Sequence, residues 1–360
     1  MEASLRPDIA ATVAAIAPLD TDAMAAARAR QEQLTKPAGS LGHLESLAIQ
    51  IAGITGQEQP VAANKAIVVM ASDHGVTAEG VSAYPAEVTP QMVLNFLRGG
   101  AAINALASVV GARVIVVDIG VATPLEHPSL LSRKVASGTA NLAQGPAMTR
   151  AQAEDAIAVG IVVVESLAQE GVQIVATGEM GIGNTTAASA ITAVLTRSTP
   201  AEVTGRGTGI DDAQLTHKIA VIERALAVNL PNRDDGLDVL AKVGGLEIAG
   251  LVGVILGGAA RRMPVVLDGF IAGSAALVAE QLCPQVRNYL IAGHISVERG
   301  HRVLLDALGL QPLLDLDLRL GEGTGAALAM GIIEGALATH RQMATFAEAG
   351  VSEKEESSDE

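Results

Sequence analysis

The sequence predicts an α/β fold in which a doubly wound, parallel six-stranded sheet carries helices on both faces. Short apolar runs alternate with helical patterns between residues 61 and 325. Most of these runs are apolar throughout, as expected of parallel strands that are covered on both faces. Glycine-rich and acidic loops follow the runs, and in a parallel sheet such loops meet at one edge.

The strands of this domain are predicted from the short apolar runs, and its helices from the helical patterns between them. The predicted strands are residues 66–71, 114–118, 172–177, 265–268, 288–292 and 313–320. The predicted helices are residues 91–110, 150–169, 185–195, 211–228, 246–261 and 297–308, with a last helix from 324 to about 347.

The first 60 residues have a different, purely helical pattern. Residues 24–34 are rich in good helix formers, and Leu44, Leu47, Ala48 and Ile51 recur at helical spacing. We expect residues 1–60 and about 326–350 to form a small helical domain, and residues 61–325 to form the α/β domain. The acidic segment 351–360 has no apolar periodicity, so it is predicted to be a disordered tail.

The composition excludes several classes of partner. The 360 residues carry a formal net charge of −15, which disfavours binding to a phosphate backbone. Three Phe, two Tyr and no Trp leave no aromatic platform for stacking bases. The apolar stretch 246–260 is too short to span a membrane and contains Glu247. We therefore expect a cytoplasmic protein with no nucleic-acid or membrane partner.

The turn around Glu322 is the strongest local signal in the sequence. Residues 316–326, LDLRLGEGTGA, alternate like a strand, turn at three glycines and then begin a helix. A carboxylate between two glycines is accessible to a ligand, because glycine permits close backbone approach. The alternative is that Glu322 only complements the dipole of the helix that follows.

Two glycine-rich loops indicate a phosphate site. Residues 178–185 fit the pattern G-x-x-x-x-G-x-T between a strand and a helix, with Asn184 where a P-loop has lysine. Backbone N–H groups at a helix start bind phosphate without lysine, so the pattern favours a phosphate monoester over a nucleoside triphosphate. A helix start without a ligand is the alternative. The second loop is 205–209, and Lys218 lies two turns into the helix after it.

Other catalytic and cofactor motifs are missing from the sequence. The G-x-G-x-x-G fingerprint of dinucleotide sites, G-x-S-x-G and H-E-x-x-H do not occur. His294 and His301 are seven residues apart and could share a helix face, but no third metal ligand lies nearby in sequence. The sequence predicts neither a metal site nor a cofactor.

Taken together, the motifs resemble those of the nicotinate-nucleotide–dimethylbenzimidazole phosphoribosyltransferase family of cobalamin lower-ligand assembly. The resemblance covers nearly the whole chain. The motifs that carry it are TKPAGSLG at 35–42, SDHGV at 72–76, GEMGIGNTT at 178–186, GRGTG at 205–209 and RLGEGTG at 319–325. It implies a Rossmann-like parallel sheet, a small helical domain and a homodimer.

The resemblance also implies the reaction and the roles of individual residues. Ribose 5-phosphate would pass from nicotinate mononucleotide to 5,6-dimethylbenzimidazole, giving α-ribazole 5′-phosphate and nicotinate, with inversion at the anomeric carbon. Glu322, in the LGEGTG turn, would be the general base. The residues implied for the phosphoribosyl and nicotinate groups are Glu179, Gly181, Gly183, Asn184, Thr185, Gly207, Lys218, Ser296 and Arg319. Those implied for the benzimidazole are Ser82, Tyr84, Gln91 and Leu320.

Three alternatives stay open at this stage. Tyr84 would serve equally well as a loop aromatic that packs on the helical domain. The acceptor could be another base, such as adenine or a phenol, because pocket size cannot be deduced from sequence. The chain could also be a non-catalytic nucleotide-binding module, which would keep the glycine-rich loops but would not require Glu322.

Overall fold

The computed structural model describes residues 5–207 and 209–352. The helices are α1 (Pro7–Ala15), α2 (Thr21–Gln33), α3 (His43–Thr55), α4 (Val88–Leu97), α5 (Ala102–Val109), α6 (Arg150–Gln169), α7 (Asn184–Thr196), α8 (Pro200–Val203), α9 (Asp212–Asn229), α10 (Gly236–Val243), α11 (Leu246–Ala260), α12 (Phe270–Leu282), α13 (Arg299–Leu308), α14 (Thr324–Gln342) and α15 (Phe346–Ala349). The strands are β1 (Lys65–Ser72), β2 (Ala112–Gly120), β3 (Leu131–Ser132), β4 (Ile174–Met180), β5 (Val265–Leu267), β6 (Leu290–Ala292), β7 (His294–Ile295) and β8 (Leu314–Asp315).

The main sheet has six strands, all parallel, in the order β3-β2-β1-β4-β5-β6. This arrangement confirms the predicted α/β fold. The chain winds outward in both directions from β1 and β4, which are neighbours with Met70 opposite Glu179. Ligands of such sheets bind beyond the carboxyl ends of the strands where the winding reverses. A site is therefore expected beyond the ends of β1 and β4.

The last of the six strands predicted from the sequence, residues 313–320, is not part of the main sheet. Residues 313–320 contribute only β8, which pairs with β7 in a separate two-stranded parallel sheet. Asp317 has a left-handed backbone (φ +55°), which interrupts any extended strand there. The main sheet has β3 in its place, at the edge beside β2, and the two residues of β3 are both exposed. Such a short edge strand has no periodicity that a sequence pattern could reveal.

The predicted helix over residues 91–110 is two helices. Within the part of the chain that the structure describes, Val88–Val109 is the one segment long and apolar enough by composition to cross a membrane. The turn at Gly99 (φ +78°) and Gly100 divides it into α4, of ten residues, and α5, of eight. A membrane-spanning helix needs about 20 residues, so neither helix alone has that length.

The described residues fall into two compact units. The larger comprises residues 5–17 and 64–330, and the smaller comprises residues 18–63 and 331–352. The sequence interpretation placed residues 1–60 in the small domain, but α1 packs on α6 and α11 of the larger unit, with Ile9 fully buried. An apolar residue on a short helix is most stable where it can be covered. Of the predicted tail 351–360, only Val351 and Ser352 lie within the described residues.

The smaller unit brings residues 18–63 together with residues 331–352. The N–H of Thr35 donates to the carbonyl of Ala344 at 3.1 Å. Arg30 donates to the carbonyls of His340 and Arg341 at 2.8 and 3.1 Å, which satisfies acceptors left over at the end of α14.

Helices α6 and α11 pack against each other through glycines. A side-chain carbon at Gly160 would overlap the carbonyl oxygen of Gly250, and one at Gly253 would overlap the carbonyl oxygen of Ile157. Every residue of α11 up to Ala259 is buried inside this chain. The glycines therefore serve internal packing at this interface, where any side chain would separate the two backbones.

We expect Gly253→Ala to lower the free energy of unfolding by about 3 kcal/mol, because its methyl group would overlap rigid backbone. Denaturant unfolding followed by circular dichroism would measure the change. Gly335→Ala in α14 is the matched control, since nothing lies within 4 Å of its added carbon. That control should be neutral or stabilising by up to about 1 kcal/mol. Equal effects of the two substitutions would contradict the close-packing explanation.

Candidate active site

A cavity of about 510 Å³ opens at the carboxyl ends of the central strands. Four carboxylates line it, from Glu179, Asp268, Glu298 and Glu322. Its other lining residues are Val81, Ser82, Tyr84, Val88, Met92, Met180, Gly181, Ile182, Gly183, Asn184, Thr185, Gly207, Gly269, Phe270, Ile271, Ala272, His294, Ser296, Arg319, Leu320 and Gly321. The loops after β4, β5 and β7 therefore meet the Glu322 turn, as the parallel topology requires.

The turn that carries Glu322 has a strained backbone. Glu322 lies in the left-handed region (φ +63°), between Gly321 (φ +83°) and Gly323 (φ +98°). The turn lies against the end of β4, where a side-chain carbon at Gly178 would come within 2.5 Å of the carbonyl oxygen of Glu322. A non-glycine residue in this conformation costs about 1 kcal/mol or more, and such strain is concentrated at functional sites.

Asp268 holds this turn in place. Its Oδ2 accepts a hydrogen bond from the N–H of Gly323 at 3.1 Å. Its Oδ1 accepts from the N–H groups of Gly325 and Ala326 at 2.8 and 3.1 Å. Gly325 and Ala326 lie in the first turn of α14 and Gly323 immediately precedes it, so these N–H groups have no intrahelical acceptor. A strand-end aspartate thereby fixes the backbone on which the glutamate is mounted.

The Glu322 carboxylate is buried but has few partners. It is 6% exposed, and its Oε2 accepts one long hydrogen bond, 3.3 Å, from the N–H of Ile103. Burial raises the pKa of this carboxyl above its ordinary value, the Ile103 N–H opposes the rise, and the charge of Asp268 adds to it. A carboxylate with a raised pKa accepts a proton more readily at neutral pH.

Glu179 lies at the end of β4, beside the same turn. Its carboxylate accepts a hydrogen bond from the side-chain amide of Asn184 and lies against Gly321. Burial raises the pKa of Glu179 to about 8, and the charges of Asp268 and Glu247 contribute. Glu179 is therefore mostly protonated at neutral pH, whereas Asp and Glu side chains in water are not.

The stability of the protein should consequently depend on pH through Glu179. Between pH 4.5 and about 8 the folded protein holds a proton that the unfolded chain has lost, so raising the pH lowers the free energy of unfolding. The slope for one such group is at most about 1.4 kcal/mol per pH unit. The free energy of unfolding of the unaltered protein minus that of Glu179→Gln should fall as the pH is raised through this interval. Urea unfolding at fixed ionic strength would measure both values. A pH-independent difference would contradict the raised pKa.

A glycine-rich loop and a buried lysine form another part of the site. The loop from Gly181 to Gly183 leads into α7, and Gly183 has φ +96°. Lys218 of α9 is 1% exposed, and its Nζ donates to Thr185 Oγ1 at 2.7 Å. Burial lowers the pKa of Lys218 to about 8, and the charge of Glu298 opposes that shift. An anion that binds beside Thr185 would offset the desolvation of this lysine.

The segment after β7 carries Ser296 and Glu298 into the cavity. The N–H of Ser296 donates to Nδ1 of His301 at 2.8 Å. Burial and the neighbouring His294 lower the pKa of His301 to about 3, so it is a neutral acceptor.

His294 belongs to β7 and His301 to α13, with ring centroids 5.9 Å apart, so they do not share a helix face. Residues 5–207 and 209–352 contain no group of three metal-ligating side chains.

The chain is similar over nearly its whole length to known phosphoribosyltransferases. A family model described as "Phosphoribosyltransferase" matches residues 16–351. The nicotinate-nucleotide–dimethylbenzimidazole phosphoribosyltransferase of Chloroflexus aggregans is 66% identical over 346 residues, which is 96% of this chain and 98% of that protein. The protein of the same name from Roseiflexus sp. (strain RS-1) is 61% identical over 346 residues, again 96% and 98% of the two chains. The crystal structure of CobT from Thermus thermophilus matches with a TM-score of 0.90 and 52% identity, and the match covers 92% of this chain and all of that one.

The chain belongs to the nicotinate-nucleotide–dimethylbenzimidazole phosphoribosyltransferase family. The resemblance deduced from the sequence motifs is thereby confirmed, and the protein is an enzyme of this phosphoribosyltransferase type. The crevice that its topology places at the carboxyl ends of β1 and β4 is the candidate active site.

Most residues that the sequence singled out for a phosphoribosyltransferase of this family lie around the one cavity. Lys218 stands behind Thr185 and Gly207 and does not line the cavity itself. Gln91 does not line it either, because it is exposed on another face of α4. Val88 and Met92, one helical turn apart, line it instead. Arg319 is exposed, and its Nη1 is 3.5 Å from the carbonyl oxygen of Gly207, a weak contact.

Two large side chains that line the phosphoribosyltransferase cavity are unusually exposed. Tyr84 and Leu320 are 56% and 57% exposed although they are large and apolar. Exposed apolar side chains that share one concave surface indicate a ligand site. Ser82 and Val81 line the cavity beside Tyr84, so this loop faces the cavity.

Phe270 and Glu298 are among the cavity residues of the phosphoribosyltransferase that the sequence did not single out. Phe270 opens α12, a helix that the sequence patterns did not indicate. Glu298 is the residue before α13 and lines the cavity while only 8% exposed. The available signal for Glu298 was its position two residues after Ser296, at the start of the helix predicted over 297–308.

Proposed function

We propose that the protein transfers ribose 5-phosphate from nicotinate mononucleotide to a nitrogen of 5,6-dimethylbenzimidazole, giving α-ribazole 5′-phosphate and nicotinate. The observation that carries this proposal is the Glu322 carboxylate. It is buried, weakly paired and raised in pKa, and it lines the same cavity as Tyr84, Leu320 and the Gly181–Gly183 loop.

The proposed role of Glu322 is to accept a proton from the benzimidazole. One ring nitrogen forms a bond to the anomeric carbon of the ribose, and the bond from that carbon to the nicotinate nitrogen breaks. The pyridinium leaves as a neutral ring with the bonding electron pair, so it needs no acid. The acceptor ring becomes cationic, and the proton on its other nitrogen passes to Glu322. General-base catalysis of this kind contributes about 10²–10⁴-fold.

The stereochemistry follows from holding both substrates at once. Attack from the face opposite the leaving nicotinate converts the β linkage of the mononucleotide into the α linkage of the product. Much of the rate should then come from alignment of the two rings about the ribose. The glycine-rich loop with Thr185, Gly207 and Lys218 would bind the 5′-phosphate. The apolar surface of Tyr84 and Leu320 would bind the benzimidazole.

A product assay tests the proposal. The purified protein would be mixed with nicotinate mononucleotide and 5,6-dimethylbenzimidazole, and nicotinate and α-ribazole phosphate would be separated by chromatography. Equal amounts of the two products are expected. Nicotinate alone would indicate hydrolysis or a different acceptor base. Neither product, with the nucleotide still bound, would favour a non-catalytic nucleotide-binding module.

We also propose that the enzyme acts as a homodimer in the cytoplasm. The family resemblance supports the dimer, and so does the apolar surface of α4 and α5. Little of the apolar stretch Val88–Val109 is buried in the chain, and Val109 is 82% exposed. Surface of this kind is typical of subunit contacts. Light scattering should give the mass of two chains, and the mass of one chain would contradict the dimer.

A further inference from the structure

Glu298 has a carboxylate oxygen for which the described residues provide no partner. Its Oε1 accepts a hydrogen bond from the N–H of Gly207 at 2.8 Å. Its Oε2 is buried and accepts no hydrogen bond within the described ranges. A buried carboxylate oxygen without a donor is unfavourable, because it has lost the hydrogen bonds of water. Glu298 lines the cavity, so a donor can come from a bound ligand.

The surroundings of Glu298 restrict where such a ligand can lie. On one side, Glu298 Oε2 packs against the backbone of Gly205, so closely that a side-chain carbon at Gly205 would overlap it. Gly207 lies between Glu298 and the buried lysine: its N–H donates to Glu298, and a side-chain carbon at Gly207 would come within 3.2 Å of Lys218 Nζ and 2.9 Å of Thr185 Oγ1. A ligand whose anionic group binds at Thr185, with the charge of Lys218 behind it, would therefore present its neighbouring atoms to Glu298.

An ionised carboxylate accepts hydrogen bonds and donates none, so its ligand must supply a donor. In nicotinate mononucleotide the ionised phosphate and the nicotinate carboxylate are acceptors. The only hydrogen-bond donors that remain are the 2′- and 3′-hydroxyls of the ribose. The one N–H of the benzimidazole is the proton that Glu322 would take. We propose that Glu298 Oε2 binds a ribose hydroxyl of the phosphoribosyl donor. This inference rests on the proposed function.

This contact makes Glu298 a determinant of specificity for ribose over deoxyribose. A hydrogen bond to a buried charged group contributes about 10- to 150-fold in affinity or rate. A nucleotide without that hydroxyl would leave Oε2 unpaired in the complex, so it should be rejected strongly. The contact should also strengthen in the transition state, where positive charge at the anomeric carbon makes the hydroxyl a better donor.

The test compares nicotinate mononucleotide with its 2′-deoxy and 3′-deoxy analogues. The unaltered enzyme should use one analogue about 10- to 150-fold less efficiently in kcat/KM. Glu298→Ala should lose activity with the ribonucleotide and lose most of this discrimination. If Glu298 had a purely structural role, Glu298→Ala would lower kcat/KM equally for all three nucleotides. The ratio of kcat/KM between the ribonucleotide and each deoxy analogue would then be unchanged. An unchanged ratio, or an unaltered enzyme that uses both analogues as well as the ribonucleotide, overturns the inference.

A second variant guards against a folding defect. Gly205→Ala keeps every charge but places a methyl group where Oε2 lies, so it should reduce the same discrimination. Calorimetric binding of the three nucleotides gives the ratio independently of turnover. If the unaltered protein neither binds nor consumes nicotinate mononucleotide, the proposed function fails and this inference fails with it. If turnover is normal and both variants keep the full ratio, only this inference fails.

Discussion

Replacing Glu322 by glutamine is expected to lower kcat by about 10²-fold or more and to leave the fold unchanged. Glutamine preserves the shape of the side chain, and its amide oxygen can still accept the hydrogen bond from the N–H of Ile103. It cannot take a proton from the benzimidazole nitrogen. Because the left-handed backbone at this position is retained, circular dichroism and thermal unfolding of the variant should match the unaltered protein.

The pH profile separates a lost base from general damage at residue 322. Burial raises the pKa of Glu322 above the ordinary value of a glutamate, so kcat/KM of the unaltered enzyme should fall as the pH is lowered through that raised value. The residual kcat/KM of Glu322→Gln should not show this fall at low pH. Glu223→Gln, an exposed substitution on α9, is the matched control and should behave like the unaltered enzyme. An unchanged kcat in Glu322→Gln would remove Glu322 from the mechanism.

Replacing Asp268 by alanine is expected to reduce both stability and turnover. Three buried N–H groups, of Gly323, Gly325 and Ala326, would lose their acceptor. At about 1 kcal/mol for each bond, the free energy of unfolding should fall by about 3 kcal/mol. The turn that carries Glu322 would no longer be fixed, and a displacement of about 1 Å costs on the order of 10²-fold in rate. Urea unfolding and steady-state kinetics would measure the two effects.

Asp118 provides the control, because it lies near the carboxyl end of β2 at the same edge of the sheet. Its Oδ1 accepts from the N–H of Val121 at 2.8 Å, and its Oδ2 pairs with Lys134 at 3.3 Å, but it does not line the cavity. Asp118→Ala should therefore destabilise the protein with little change in kcat. If Asp268→Ala retained full turnover at a temperature where it is folded, Asp268 would have no part in positioning the general base.

The sequence by itself determined the fold class and indicated which loops line the cavity. Continuous apolar runs between helices are a local signal of parallel strands covered on both faces. Glycines mark turns that other residues adopt only with strain, so the loop before Asn184 and the turn around Glu322 could be identified from the order of residues alone. These features depend on residues close together in the chain, and pattern analysis detects such residues.

Only the tertiary structure decided which side chains meet in the cavity and what their charges are. Val88 and Met92 line it in place of Gln91 because of the rotation of α4 about its axis. Glu298 meets Gly207 across 91 residues of sequence, and Glu322 meets Ile103 across 219. The raised pKa values of Glu179 and Glu322 arise first from burial, which depends on packing of the whole domain. Contacts and desolvation of this kind have no signature in local sequence, because they exist only when distant segments fold together.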